Sequence, residues 1–266
     1  MCQKDRLVQF FQSTHQPTAV LVKQSGRLVA EQTPNAWRWQ GRRVKLVDGT
    51  TITLPDTAAN QDVYPQQRGQ APGLGFPIAR IVGVICLSSG VMLDAAMEAF
   101  KGKGASEHAL LRQLLESFEP GDVVLSDRYY CSYFLIAMLI ANGVDVVFQQ
   151  HAVRKTDFRR GQKLGVRDHV VIWKKPKIMP DWMNKAQYEE FPDELTVREL
   201  KTDKKVLVTT LLPDKEIPRI SLAELYKQRW HVELDLRNIK ITLGMESLSG
   251  AHHRMALLHF NVTKIP

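Results

Sequence analysis

Asp48 and Asp127 are acids placed where phosphodiester chemistry needs them. Asp48 follows the apolar, alternating run Val44-Lys-Leu-Val47, and Asp127 follows Val123-Val-Leu-Ser126. In an open α/β sheet, functional side chains converge at strand ends. Two carboxylates on neighbouring strands can share a pair of Mg²⁺ ions, or Mn²⁺ in their place, about 3.5–4 Å apart. Such a pair activates a water or a 3′-hydroxyl and stabilises the leaving oxygen. Mg²⁺ takes carboxylate oxygens and keeps several of its waters, so two or three acids suffice. A single Asp before Gly is equally a turn residue, and for Asp48 by itself both readings stand.

A third acid comes with its own surroundings. Tyr226, Arg229, Glu233 and Lys240 follow the spacing Tyr-x2-Arg-x3-Glu-x6-Lys. On a helix these four fall within roughly a 60° arc and project from one face. One carboxylate flanked by two cations and a phenol suits a site that takes metal and phosphate together, since arginine grips phosphate bidentately. The plainer alternative is a surface helix, where Arg229 and Glu233 form an i, i+4 ion pair. His231 is offset by about 200° from Glu233, which argues against a shared metal.

The elements that must position these residues are legible in outline. Residues 43–49 read as a strand ending at Asp48 and a Gly turn. Residues 56–77, with four prolines counting Pro55 and three glycines, read as a long loop. Residues 78–87 and 91–99 form a hairpin pattern, and Ser106 caps an amphipathic helix to Phe118. A strand at 123–127, a helix from about Tyr130 to Ala141 and a strand at 144–149 follow. Short alternating strands occupy the stretch to about Pro218. A last helix starts near Ser221, with Glu224 in capping-box spacing, and runs past Lys240. This is an α/β order. It is the element order of a ribonuclease-H-like catalytic core with a β-rich insertion. The boundaries expected are an N-terminal segment 1–40, the first part of the core 41–149, the insertion 150–218, the catalytic helix 219–250 and an atypical tail 251–266.

Composition bounds the partners. The 266 residues are 44% hydrophobic and 24% charged, as in a soluble globular protein. No apolar run reaches the ~20 residues of a membrane span, so no membrane partner is expected. The first residues lack a signal peptide's apolar segment, and Cys2, Cys86 and Cys131 have no metal-ligand spacing. Reduced thiols point to a cytoplasmic protein. Net charge is +8, which favours polyanions through counterion release. The cations concentrate between His151 and Lys177, where Arg154, Lys155, Arg159, Arg160, Lys163, Arg167, Lys174, Lys175 and Lys177 face only Asp157 and Asp168. Arg159, Arg160, Lys174 and Lys175 are the expected phosphate contacts. A solvated β-rich face is the alternative.

Taken together, the Tyr226-Arg229-Glu233-Lys240 spacing resembles the signature of the insertion sequence 4 family of DDE transposases. Leu46-Val-Asp-Gly-Thr-Thr, Gly73-Leu-Gly-Phe-Pro77, Gly121-Asp-Val-Val-Leu-Ser-Asp-Arg128 and Leu225-Tyr-Lys-Gln-Arg-Trp-His-Val-Glu233 are similar to that family's blocks. The resemblance runs over roughly residues 40 to 250. It implies that Asp48, Asp127 and Glu233 are the catalytic, metal-binding triad for two Mg²⁺ ions. It also implies that Tyr226 and Arg229 contact phosphate at a transposon end and Lys240 the DNA near the cut. The implied partners are double-stranded DNA at terminal inverted repeats, target DNA and a second copy in a homodimer on DNA. The implied location is the bacterial cytosol and nucleoid. The insertion would bind the DNA end, with Trp173 or Trp182 as an aromatic for a flipped base; a core role is the plainer reading of either tryptophan. Against the family pattern, the region before Asp48 is short and residues 251–266 do not resemble it, so the chain also reads as a shortened copy. The alternatives are a non-catalytic DNA-binding remnant and a ribonuclease-H-like nuclease that cuts without strand transfer.

Overall fold

β-Branched and aliphatic runs decide where the strands form. The computed structural model describes residues 23–67, 69, 71, 73, 75–102, 104–212 and 217–242, with side chains as far as Trp230. Its elements in chain order are a helix α1 (23–31), β1 (Val44–Thr53), α2 (Ala58–Val63), β2 (Ile78–Cys86), β3 (Met92–Ala99), α3 (Glu107–Gln113), β4 (Val123–Ser126), α4 (Tyr133–Ala141), β5 (Asp145–Gln149), β6 (Gln162–Gly165), β7 (Asp168–Lys174), α5 (Lys185–Glu190), β8 (Glu194–Lys201), β9 (Val206–Thr209) and α6 (Arg219–Thr242). The architecture is mixed α/β. Among the described residues no helix is long and apolar enough to cross a membrane.

The chain divides into two units, and β1 contributes to both. The first takes its described residues from 1–38, 47–117 and 232–266. Its strand order is β3, β2, β1, with β2 and β3 an antiparallel pair from Ala79↔Ala99 to Ile85↔Met92. α3 packs on this hairpin. The Ser106 hydroxyl caps it by accepting the Ala109 amide at 3.1 Å, and its apolar stripe, Leu110 and Leu111, is buried. The helix is shorter than the sequence pattern suggests: it stops at Gln113, and a separate 3₁₀ turn covers Leu115–Ser117. The described residues between 56 and 77 also hold more structure than a loop reading implies. Thr57 caps α2, and the Gln66 carboxamide binds the amides of Gly73 and Gly75 and the carbonyl of Ala71.

The second unit comprises residues 39–46 and 118–231. Its strand order is β1, β4, β5, β9, β8, β7, β6. β1, β4 and β5 run parallel, in register Val44↔Val123, Leu46↔Leu125, Val123↔Asp145 and Ser126↔Phe148. Parallel strands need cover on both faces. Val44, Leu46, Val123, Val124, Leu125, Val146, Val147 and Phe148 are accordingly all buried. α4 carries buried side chains all round, Tyr133, Phe134, Leu135, Ile136, Ala137 and Leu139, and packs on β5. The remaining four strands are antiparallel, and β9 joins them to β5 through Val147↔Thr209. The start of β1 is held by charge as well. Asp122, fully buried, receives Lys45 Nζ at 2.6 Å and Arg43 Nε at 2.9 Å.

Two expectations are corrected here. β1 does not end at Asp48: it runs on through Gly49-Thr-Thr-Ile-Thr53. The β-branched residues after the glycine extend the strand. Gly49 is there because of crowding, since a Cβ on it would lie 2.5 Å from the Glu107 carboxyl carbon. α6, for its part, begins at Arg219 rather than Ser221. Pro218, with its fixed φ, starts the helix, and its carbonyl accepts the Leu222 amide at 3.3 Å.

Gly49→Ala should therefore push the Glu107 carboxyl aside and cost about 1 kcal/mol of stability, the low end for overpacking, because that side chain is flexible. Adding Glu107→Ala should recover most of that loss. Urea unfolding of the two single variants and the double variant checks the coupling, and strictly additive losses would contradict the contact. Asp122→Ala leaves buried Lys45 without this carboxylate and should cost about 3–5 kcal/mol in the same assay.

Candidate active site and nucleic-acid interface

The parallel strands set the positions of the acids. The last β1–β4 register pair is Leu46↔Leu125, and Asp48 and Asp127 each follow it by two positions. Both carboxylates are half-buried. Asp48 Oδ1 accepts the Gly49 amide at 2.9 Å. Asp127 Oδ1 accepts the Tyr129 amide at 2.8 Å in an Asx-type turn that fixes the carboxylate's rotation. One strand further, Ser126 is paired with Phe148, so Asp127 and Gln149 each come next after that pair.

α6 brings its own residues to the same end of β5. Leu222 and Leu225 are fully buried and seat the helix. Tyr226 and Arg229 are buried too, and the Tyr226 hydroxyl donates to Gln149 Oε1 at 3.4 Å. Glu233 and Lys240 lie on the same helix, but their side chains fall outside the described residues. Among the described residues no three His, Cys, Asp or Glu side chains cluster closely enough to hold a metal ion; Glu233 is not in that set.

Beside α6 the β8–β9 turn forms one wall of a cavity of ≈ 440 Å³, lined in part by Lys204, Lys205, Tyr226, Lys227, Arg229 and Trp230. Lys205 Nζ lies 5.3 Å from the centre of the Tyr226 ring, and the Arg229 guanidinium lies 5.8 Å from it. Four cations and one carboxylate, Asp203, line the cavity with the Tyr226 and Trp230 rings, a balance that favours anions. Sequence reasoning missed Lys204, Lys205, Lys227 and Trp230. The Lys-Lys pair at a turn was the available signal, hidden because the richest basic stretch lies elsewhere in the chain.

The cations expected to contact phosphate in that stretch have carboxylate partners, although Arg159, Arg160 and Lys174 are exposed. Arg159 is bidentate to Asp157, at 2.8 and 3.1 Å, with Arg160 at 3.5 Å. The hydrogen bond from Arg159 draws the Asp157 carboxyl down to about 2, so it stays ionised at neutral pH and competes with any phosphate. Lys174 is exposed and 3.4 Å from Glu194. The Lys175 side chain is only 12% exposed, pairs with Asp193 at 2.8 Å and donates to the Phe191 carbonyl at 2.7 Å. Its hydrogen bond lowers the Asp193 carboxyl in turn. Trp173 is a core residue, 3% exposed, with the Arg154 guanidinium 3.7 Å over its ring. Trp182 is 43% exposed and meets Phe134 edge-on.

The sequence pattern of the family described as Transposase DDE domain matches residues 39–259. The chain is also 26% identical over 215 residues to the transposase InsG for insertion sequence element IS4 of Escherichia coli (strain K12). That match covers 79% of this chain and 47% of the relative, so the chain spans about half the length of the curated relative it matches. Asp48, Asp127, Tyr226 and Arg229 all fall inside the matched stretch, and the chain belongs to the Transposase DDE domain family.

Proposed function

We propose that the chain is a DNA transposase with a ribonuclease-H-like core, in which Asp48, Asp127 and Glu233 bind two Mg²⁺ ions, or Mn²⁺, and direct cleavage and joining of DNA strands. The observation that carries this reading is the common two-residue offset of Asp48 and Asp127 from Leu46↔Leu125, with Tyr226 of α6 bonded to the end of the neighbouring strand. The donor set fits the metal: carboxylate oxygens are the hard ligands that Mg²⁺ prefers. When bound, the ions lower the pKa of a water or 3′-hydroxyl and neutralise charge on the phosphate.

The chain's own residues supply the rest. The Asx turn at Asp127 leaves its carboxylate already oriented, so little reorganisation is needed when ligands arrive. Arg229 and Tyr226 hold a phosphate at the transposon end, with Lys204, Lys205 and Lys227 lining the same cavity. Lys240 engages the DNA near the cut, and Arg159, Arg160, Lys174 and Lys175 follow its backbone further out. Fixing that phosphate places the scissile bond against the acids, and positioning of this kind is a large part of catalysis. The first step is hydrolytic nicking that frees a 3′-hydroxyl; the second is attack of that hydroxyl on a phosphodiester of target DNA. Neither step needs a covalent enzyme intermediate. Handling two transposon ends at once calls for a homodimer on DNA, and the substrate places the work in the bacterial cytosol and nucleoid.

Asp48→Ala, Asp127→Ala and Glu233→Ala should each lower Mg²⁺-dependent nicking of an end-containing duplex by at least on the order of 10²–10³-fold. Binding of the same duplex, followed by gel shift, should change little. Nicking that survives all three changes removes the assignment. Arg229→Ala should weaken end binding roughly 10-fold through loss of a charged hydrogen bond; unaltered affinity at matched salt counts against its phosphate role.

A further inference from the structure

α6 carries Tyr226 and Arg229, and its orientation is set at its first turn by the β-rich strands. Arg198 on β8 is 1% exposed and spends all three sides of its guanidinium. Nε and Nη2 donate to Asp168 Oδ1 and Oδ2 at 2.9 and 2.6 Å. Nη1 donates at 2.9 Å to the carbonyl of Ile217, two residues ahead of α6. Asp168 opposes Leu200 and Arg198 opposes Val170, so the ion pair spans β7 and β8 diagonally. Arg219, the first residue of α6, reaches back to the same hairpin: Nη1 donates to the Val166 carbonyl at 2.9 Å and Nη2 to the Lys201 carbonyl.

We propose that Arg198, held by Asp168, is a positioning residue that with Arg219 clamps the start of α6 and so aims Tyr226 and Arg229. Two arguments carry it. First, a buried ion pair is a poor device for stability, because apolar residues of similar volume usually do as well. Its distinctive property is direction: the planar fork bound to Asp168 points the third donor at one carbonyl. Second, the lever is long. Arg229 lies ten residues beyond Arg219, about 15 Å along the helix axis. A tilt of about 10° at the first turn moves it by roughly 2–3 Å, and misplacement of about 1 Å is enough to cost on the order of 10²-fold in rate. The functional half of this inference rests on the proposed transposase reading; the clamp itself does not.

The experiment replaces the pair by apolar residues, Asp168→Leu with Arg198→Met, and measures thermal unfolding, amide hydrogen exchange and Mg²⁺-dependent nicking. The expected result is a melting temperature close to that of the parent. Exchange of the Leu222–Tyr226 amides should be at least about 10-fold faster, while β4 and β5 keep their protection. Nicking should fall on the order of 10²-fold per folded molecule. Unchanged exchange in α6 overturns the clamp. Faster exchange with parental nicking overturns the positioning role. A parent that never nicks overturns the transposase reading and leaves the exchange measurement to decide the clamp. Should the double variant not fold, Arg219→Ala removes only the exposed half of the clamp and should give the same signature in smaller measure; parental exchange in that variant also overturns the proposal.

Discussion

Burial of parallel strands on both faces constrains everything else in the site. β1, β4 and β5 are mostly apolar where they pair with one another, with Lys45, Ser126 and Asp145 the polar exceptions, because a parallel sheet gives a polar side chain little wet face along its length. Asp48 and Asp127 each come two positions past the last β1–β4 pair, and Gln149 comes one past the last β4–β5 pair while pairing with Leu207 of β9. The sheet thus produces a polar end as a by-product of its own stability. The same constraint makes the polar exceptions costly: buried Lys45 is tolerated because Asp122 sits 2.6 Å away.

The antiparallel strands meet the opposite demand, since they carry charge into the interior. Arg198 and Glu199 are consecutive on β8 and both buried, so strand alternation sends them to opposite faces. Glu199 collects Trp173 Nε1 at 2.8 Å and Gln150 Nε2 at 3.3 Å, and faces His169 Nε2 at 3.1 Å. His169 Nδ1 also lies 2.6 Å from the Arg160 carbonyl. A carboxylate with this many partners is satisfied, as buried polar groups must be. The two clusters fix different things: the Arg198 side ties the sheet to α6, and the Glu199 side ties β7 to the residue just after β5.

Much of the framework was visible in the sequence because it depends on local signals. Unbroken Val-Val-Leu and Val-Val-Phe runs announce β4 and β5, Ser106 announces α3, and the Tyr-Arg spacing announces a shared face of α6, where both side chains are buried. What the sequence hid depends on distant partners. Asp48-Gly49 has the chemistry of a turn, yet the strand runs on through Thr50-Thr-Ile-Thr53, and the Glu107 side chain packs against Gly49. Charge density was similarly misleading as a guide to accessible cations. Arg159 and Lys175 are engaged by Asp157 and Asp193, whereas Lys204 and Lys205, in a sparser stretch, line the cavity. Composition counts charges, but it does not count their partners.

Cys131 lies four residues beyond Asp127, close enough in sequence to invite a redox role. Burial pushes its thiol up to about 12, and Cys86 is buried as well. The thiolate is the form that peroxides and alkylating agents attack. The Cys131 sulfur is thus held as a buried, protonated thiol, a poor nucleophile, and local opening would have to precede its oxidation.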